Sequence, residues 1–439
     1  MARGNSWGRL SAPKQTISPI HWAHEAPELI KSQTSLLAYG NGRSYGDCCL
    51  NDGELLIDAR GMDHCVHFDR AKGTFRAEAG LTLGEMLEII EPAGWFLPVT
   101  PGTQYVTLGG AVANDVHGKN HHGSGTFGMH VTALRLQRSD GQQYECTWQQ
   151  NPELFKATIA GLGLTGLILE VEIRLKPIET SYLRVESQRF NRLEDFFHLS
   201  DASAHSHEYS VAWVDCLAQG QKAGRGVFMR ANHATREESP GKRQRSKPKL
   251  SVPLDLPYSL VRPPLVRLFN PMYFHRSPVE FQPQVTHYQP FFYPLDGIEH
   301  WNRLYGPKGF YQFQCVVPPK NSHDAIKALL HQVSNSRQAS FLAVLKVFGD
   351  AQSPGMLSFP RPGTTLAMDF PNRGKMTIRL LERLHQIVMD AQGAIYPAKD
   401  AAMPADLFQQ GYPALQAFNQ LRDPAFSSSL WRRLNGSNQ

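Results

Sequence analysis

The chain has no uninterrupted apolar run of about 18 residues, the length a membrane-crossing helix needs, so no transmembrane segment is expected. Its first residues, MARGNSWGRLSAPKQ, have no apolar core after their charges and do not read as a secretory signal. Cysteine is scarce and scattered: Cys48, Cys49, Cys65, Cys146, Cys216 and Cys315 are the only six in 439 residues, and no pair has metal-type spacing. Reduced thiols in a cytoplasmic protein are expected, rather than a disulfide framework. Charged residues make up only 19%, and the net charge of +6 is mild. It suits an anionic small molecule or lipid head group as well as nucleic acid, and does not choose between them. What is present is an ordinary core, 41% hydrophobic, in a chain long enough for two domains.

The most informative stretch is PVTPGTQYVTLGGAVANDVHGKNHHGSGTFG, residues 98–128. It predicts a strand end at Leu97–Val99, a glycine-rich turn and a short helix opening near Thr107. Gly109 and Gly110 would let a ligand approach the backbone, and unpaired N–H groups at the helix start would favour a pyrophosphate. VHGKNHH follows with His and Lys for a polar reaction centre; the bland alternative is a basic surface loop. The His117, His121 and His122 spacing in a glycine-rich loop, with no Cys or carboxylate cluster beside it, is not a dependable zinc signature, so no metal is expected.

Upstream, SLLAYG, ELLIDAR, CVHFDR and TFRAEAG read as short strands, with NGRSYGDCCLND as a second glycine-punctuated loop. LTLGEMLEIIEPAG reads as a helix burying Leu83, Met86, Leu87 and Ile90 and stopped by Gly94. Downstream come a hairpin turning at Ser139–Asp140–Gly141, a helix capped by Asn151, and the strand LILEVEIRLKPI. Gly161–Leu162–Gly163–Leu164–Thr165–Gly166 is a literal G-x-G-x-x-G. It follows a helix and opens a β-rich run, the reverse of a dinucleotide fingerprint, so it is read as a tight loop. From about Thr180 the texture becomes that of strands (EYSVAWVDC, RGVFMRA, VTHYQPFFYPLDG, FYQFQCVVPP, SFLAVLKVFG, PGTTLAMDFPN) and two long helices, over 319–336 and 377–393. The expected fold is α+β with two domains: 1–178 binding a cofactor, 179–393 an antiparallel sheet with helices on one face, and 394–439 returning to the first. Residues 238–276, Pro-rich and basic with Leu, Val and aromatics, read as a flexible flap suited to an anionic membrane surface, or as a disordered insertion. The last fifty residues read as a short strand and two small helices.

NGRSYGD, PGT…VTLGGAVANDVHGKNHH and GSGTFG resemble the FAD-binding domain of vanillyl-alcohol-oxidase-type flavoenzymes. LFKATIAGLGLTGLI, AWVD, YPLD, WNRLYGPKGFYQFQCVVP, FLAVLKVFG, LSFP, MDFP and YPAKD extend the resemblance over nearly the whole chain, to the decaprenylphosphoryl-ribose oxidase family within that superfamily. The resemblance implies that FAD accepts hydride from C2 of a polyprenyl-phosphoryl pentose. A separate short-chain reductase would then complete a 2′-epimerisation, with contact at the inner membrane face and no nucleic-acid partner. The alternative within the superfamily is an oxidase of a soluble sugar, alditol or lactone.

The resemblance assigns FAD contacts to Gly40, Asn41, Gly42, Arg43, Ser44, Tyr45 and Gly46 in one loop. It assigns Pro101, Gly102, Thr103, Thr107, Gly109, Gly110, Asn114, His117, Gly118, Lys119 and His122 in the other, with Gly166, Ile168, Tyr396 and Lys399. Relatives with covalent flavin carry His where Arg43 stands, which implies non-covalent FAD; Cys48 and His117 are the other nearby candidates for attachment. Lys399 is the first candidate for proton transfer, with His117 and Tyr45 beside it. Lys346 interrupts an apolar strand and predicts a polar pocket or phosphate contact, the alternative being a solvent-facing residue. Gln312 and Gln314 share a strand face by period and are expected to line the substrate pocket with Trp213 and Phe292; Tyr305 is a further candidate wall. Thr365 and Ala367 stand where the family has Asn and an inhibitor-reactive Cys, and Phe292 stands where an aromatic hydroxyl is expected. The pocket lining has therefore changed, and insensitivity to thiol-directed inhibitors is implied.

Overall fold

Period-two alternation organises the larger half of the protein. In Phe310–Val317 the residues Phe313, Cys315 and Val317 are buried in one apolar core, while Gln312 and Gln314 point the other way into a cavity. The neighbouring strand Gly363–Pro371 repeats the division: Leu366, Met368 and Phe370 go to the core, Thr365 and Ala367 to the cavity. The computed structural model describes residues 4–31, 33–241 and 250–436. Within them these strands belong to an eight-stranded sheet in the order Gln282–His287, Tyr182–Phe190, Gly226–His233, Tyr209–Val214, Ala343–Phe348, Gly363–Pro371, Phe310–Val317 and Ala394–Ile395. All its pairings are antiparallel.

Three helices cover the core face: Leu193–Ser203, Ser322–Ser334 and Lys375–Asp390. The last buries Thr377, Leu380, Leu381, Leu384 and Val388, one stripe at helical spacing. The opposite face of the sheet is left for the site.

The N-terminal half holds a parallel three-stranded sheet (Thr16–Pro19, Leu55–Asp58, Leu36–Tyr39). Beside it is an antiparallel five-stranded one (Cys65–Asp69, Thr74–Glu78, Leu167–Arg174, Val131–Gln137, Gln143–Thr147). Helix Leu83–Ile90 forms as its sequence predicts, its start fixed by a capping box. Thr82 Oγ1 accepts from the Glu85 amide at 3.2 Å and the Glu85 carboxylate accepts from the Thr82 amide at 2.8 Å. Such a cap contributes about 1 kcal/mol.

Several local expectations are corrected. The strand before the central loop is Trp95–Phe96, ending before Leu97. Asn151 does precede a helix, but in the left-handed region (φ 51°), and its amide donates to the Glu145 carbonyl at 2.8 Å instead of capping. VTHYQPFFYPLDG is half strand: Gln282–His287 gives way to a helical turn at Tyr288–Phe292, where His287 caps and Pro290 sits without needing an N–H. The 238–276 stretch is not structureless, because Pro263–Arg276 is a helix of 14 residues. Pro263 and Pro264 occupy its first turn, where a missing N–H costs nothing. Residues 242–249 of that stretch lie outside the described residues. The C-terminal part has three helices, not two: Ala405–Gly411, Leu415–Leu421 and Ser429–Asn435. Its strand Ala394–Ile395 edges the large sheet, while Ser427 and Ser429 donate their amides to Leu36 and Leu50 of the N-terminal half.

Candidate active site

A cavity of about 920 Å³ lies between the open face of the eight-stranded sheet and the two glycine-rich loops. Strand register sets its floor. Gln314 is opposite Ala367, Lys346 opposite Thr365, and Trp213 opposite Val344, so residues far apart in the chain meet on one surface. Lys346 is not solvent-facing: half-buried, it lines the cavity and donates to the Gly118 carbonyl at 3.2 Å and to His117 Nδ1 at 3.1 Å.

The His117 ring is therefore held from both sides: Lys346 Nζ lies at Nδ1, and Gln314 Nε2 lies 3.0 Å from Nε2 and donates to Thr365 Oγ1 at 3.3 Å. Burial first, then Lys346, holds the His117 pKa well below the usual range, so the ring is neutral. Lys119 donates to the Phe292 carbonyl at 3.1 Å. Burial pulls both Lys119 and Lys346 down to about 7.

Lys399 follows the strand Ala394–Ile395 in a turn, its amide bonded to the Tyr396 carbonyl. Its ammonium lies 4.0 Å from the centre of the Tyr45 ring. Burial lowers its pKa while Asp369 acts against the shift; burial raises Asp369, which is bonded by Gln312 Nε2 at 2.5 Å and Tyr305 at 3.5 Å. Arg43 is held between aromatic rings, 4.3 Å from Trp7 and 4.8 Å from Tyr105. Asp296, accepting from the Gln104 amide at 2.9 Å, is pushed up by burial to about 6.

Most expected residues meet here. Gly40, Asn41, Gly42, Arg43, Ser44, Tyr45, Thr107, Asn114, Gly166, Ile168 and Tyr396 all line the cavity, with the Pro101–Thr103 turn and residues 117–119. Gly46 and His122 do not. Gly46 packs on the Asp400 carbonyl, which a Cβ would meet at 1.5 Å, and His122 is tied to the His207 carbonyl at 3.0 Å. A short helix does open at Thr107, its N-cap, but its start is not free for a ligand. Its first N–H groups are spoken for: Leu108 donates to Leu81, Gly109 to Ala79 and Gly110 to Thr107 Oγ1. They cannot cradle a pyrophosphate as the loop pattern predicts. Tyr305 stacks on Phe310 at 4.1 Å rather than forming the wall, and the Tyr293 hydroxyl turns to Thr100 at 2.6 Å. The sequence reading missed Asp369 and Asp296 as charges of the site, although both sit in its quoted motifs MDFP and YPLD. It also missed Trp7, whose only signal was a tryptophan in a polar N-terminal stretch.

Comparison with known proteins agrees with this geometry. The FAD-binding domain family matches residues 25–147. Decaprenylphosphoryl-beta-D-ribose oxidase of Mycolicibacterium smegmatis is 33% identical across 98% of this chain and 96% of its own. The chain belongs to the decaprenylphosphoryl-β-D-ribose oxidase family. It is an FAD-dependent oxidoreductase. An uncharacterized Streptomyces coelicolor protein is 35% identical over 81% of this chain and 100% of its own. Mouse L-gulonolactone oxidase is 27% identical over 40% and 42%.

The residues fit the FAD of this oxidase family. Three buried polar atoms of cavity-lining residues, Arg43 Nε, Asn114 Oδ1 and Gln312 Oε1, have no hydrogen-bond partner among the described residues. A cavity this large with convergent unpaired polar groups is built for a ligand. Side chains at Gly40 and Gly109 would collide with Thr107 Oγ1 at 2.4 Å and Ala79 Cβ at 2.8 Å, so the loop backbone itself forms that wall. Among the described lining residues, Arg43, Lys119, Lys346 and Lys399 stand against one carboxylate, Asp296, an excess of positive charge that suits anionic ligands.

That excess sets a pH dependence. Lys119 and Lys346 have folded pKa values of about 7 against an ordinary 10.5. Above pH 7 the unfolded chain therefore binds more protons, and stability rises with pH. The window closes near pH 9, where Cys48 and Cys216, pushed up to about 12, begin to act the other way. Flavin-free protein is expected to gain about 3 °C in Tm between pH 7 and about 8.5. Lys346→Met should flatten the slope, and an unchanged slope in calorimetry would remove Lys346 as its source.

Proposed function

We propose that this chain oxidises the C2 hydroxyl of a polyprenyl-phosphoryl pentose to a ketone, the first half of a 2′-epimerisation that a separate short-chain reductase completes. The observation that carries the reading is one cavity wall where Lys346 and Lys119 supply positive charge and Lys399, Tyr45 and Gln312 gather beside them. The name of the Mycolicibacterium relative supports the same substrate class.

Bound FAD supplies a hydride acceptor. Arg43, Asn114 and the glycine-rich loops hold it without a covalent bond. Arg43 offers no site of attachment, and burial pushes the Cys48 thiol up to about 12, leaving it a poor nucleophile. Gln312 and Gln314 orient the sugar, and Lys346 and Lys119 hold the lipid phosphate by charge-assisted bonds. Lys399, its pKa lowered by burial, takes the hydroxyl proton as the C–H bond breaks. Neutral His117 positions Lys346. The exposed lipid chain keeps the protein at a membrane surface.

A second reading, oxidation of a soluble sugar, alditol or lactone, is favoured by the partial likeness to L-gulonolactone oxidase. Anaerobic titration of the yellow protein separates the two. Bleaching by a polyprenyl-phosphoryl pentose, with flavin released on acid precipitation, is the expected result. Bleaching by free sugars or lactones alone would replace the first reading with the second.

A further inference from the structure

We propose that the outward side of helix Pro263–Arg276, a helix that also lines the cavity, is the surface on which this protein docks to an anionic lipid bilayer. The inference rests on the lipid-linked substrate proposed above and gives that reading a place on the molecule.

The helix is anchored on one side only. Val266, Asn270 and Phe274 are buried, and Asn270 Nδ2 donates to Asp215 Oδ1 at 2.6 Å, itself paired with Arg225 at 2.7 Å. On the outward side Leu265, Leu268 and Met272 follow one another at spacings of three and four, with fractional exposures of 45%, 72% and 63%. Single exposed leucines are ordinary, but a helical stripe of them beside a ligand cavity is not. Leu254, 74% exposed, adds to the apolar surface of the same segment.

Charge selects the occupant. Arg262, Arg267 and Arg276 are exposed on the same helix and its cap, and no acidic residue occurs from Val261 to Val279. The acid in the preceding segment, Asp255, is already paired with Arg9 at 2.6 Å. Apolar side chains flanked by arginines, with no carboxylates among them, match the head-group boundary of an anionic membrane. The stripe also continues inward. Phe269 and Tyr273, next to it on the helix, line the cavity and pack on Phe341 and Trp213 at 5.3 and 4.8 Å. A lipid tail can therefore remain on apolar surface from bilayer to reaction site.

The test uses full-length, FAD-loaded protein and sedimentation with vesicles of phosphatidylcholine alone or with about 30 mol % phosphatidylglycerol. Binding to the anionic vesicles is expected to exceed binding to the neutral ones by about tenfold, and to weaken as salt rises from about 0.1 to about 0.5 M. The Leu268→Glu, Met272→Glu double variant should lose at least about tenfold in binding, and Arg267→Glu should reduce it in low salt only. Both should keep the wild-type flavin spectrum and Tm, which excludes misfolding. Both should also oxidise a short-chain, water-soluble phosphoryl pentose at the wild-type rate. If neither wild type nor variant oxidises that analogue, the proposed reaction fails while the docking result stands on its own. Docking is overturned if wild type ignores anionic vesicles, or if the double variant binds them equally well. It is also overturned if the substitutions instead split a dimer, which would make the stripe a contact between two copies of this chain.

Discussion

Replacing Lys399 by Met is expected to slow substrate oxidation by about two to three orders of magnitude, the range for losing a positioned proton acceptor. FAD binding should change little. The side chain rests on the Tyr45 ring at 4.0 Å and lies within the cavity, where burial lowers its pKa and Asp369, then Cys48, act against the shift. Met keeps the unbranched shape and the contact with Tyr45, so the loss reports on the amine rather than on packing. Lys399→Arg separates two roles. An arginine retains the cation but never releases its proton at ordinary pH, so it rescues a substrate-orienting role and not a proton-accepting one. Asp369→Asn supplies the companion measurement. Removing the carboxylate takes away the interaction that opposes the lowering of Lys399, so the acidic limb of the rate profile, where the amine loses its proton, should move to lower pH. The readout is the anaerobic, single-turnover rate of flavin bleaching across pH. A loss below tenfold in Lys399→Met, with an unmoved profile in Asp369→Asn, would take proton transfer away from Lys399.

Much of this site was legible because it obeys short periods. Gln312 and Gln314 alternate with Phe313 and Cys315, and two-residue periodicity alone puts both amides on the cavity side. Lys346 announced itself by interrupting an apolar strand, since such a cation must find an acceptor. It found the Gly118 carbonyl and His117. The glycine loops were legible for the opposite reason, as residues with no side chain mark where backbone must approach something. Gly109 and Gly110 do line the cavity, but their amides turn to Ala79 and Thr107 rather than to a ligand. A glycine pattern reports a close contact without saying whether the neighbour is ligand or protein.

The missed site charge has a simple cause, which is that cross-strand partners are not neighbours in sequence. Asp369 belongs to the site because the register sets it opposite Gln312. Nothing in MDFP distinguishes it from an edge carboxylate. Helix Pro263–Arg276 was hidden by its own punctuation, two prolines at the start and Pro271 inside, which read as loop. Its outward face is apolar where a helix of a soluble protein is normally polar, so the usual helical contrast between faces is weak.

The second large effect is expected away from the reacting atoms, at Asp115. This carboxylate has no exposed surface and sits at φ 40°, in the turn that follows helix Leu108–Ala113. Its Oδ1 accepts from the Gly128 amide at 2.8 Å, and its Oδ2 accepts from Ser358 at 2.6 Å and from Ser353. Gly128 must be glycine here, because a Cβ would meet Ile159 at 2.3 Å and Asp115 itself at 2.7 Å. One side chain thus ties the glycine-rich loop to the segment 353–358, which precedes the cavity strand Gly363–Pro371. Asp115→Ala leaves three donors without their acceptor and puts a β-carbon with no polar compensation at positive φ. The sum is a loss of about 3–4 kcal/mol. Asp115→Asn keeps an oxygen for Gly128, and the serine hydroxyls can rotate to accept from the new amide, so about 1 kcal/mol is expected. The flavin should be held less tightly in the Ala variant, because Asn114, the residue before it, lines the cavity and its carbonyl accepts from Tyr396 at 2.9 Å. Urea unfolding followed by flavin release and by far-UV dichroism measures both. If the Ala variant stays within about 1 kcal/mol of wild type, the carboxylate does not join the two halves of the site.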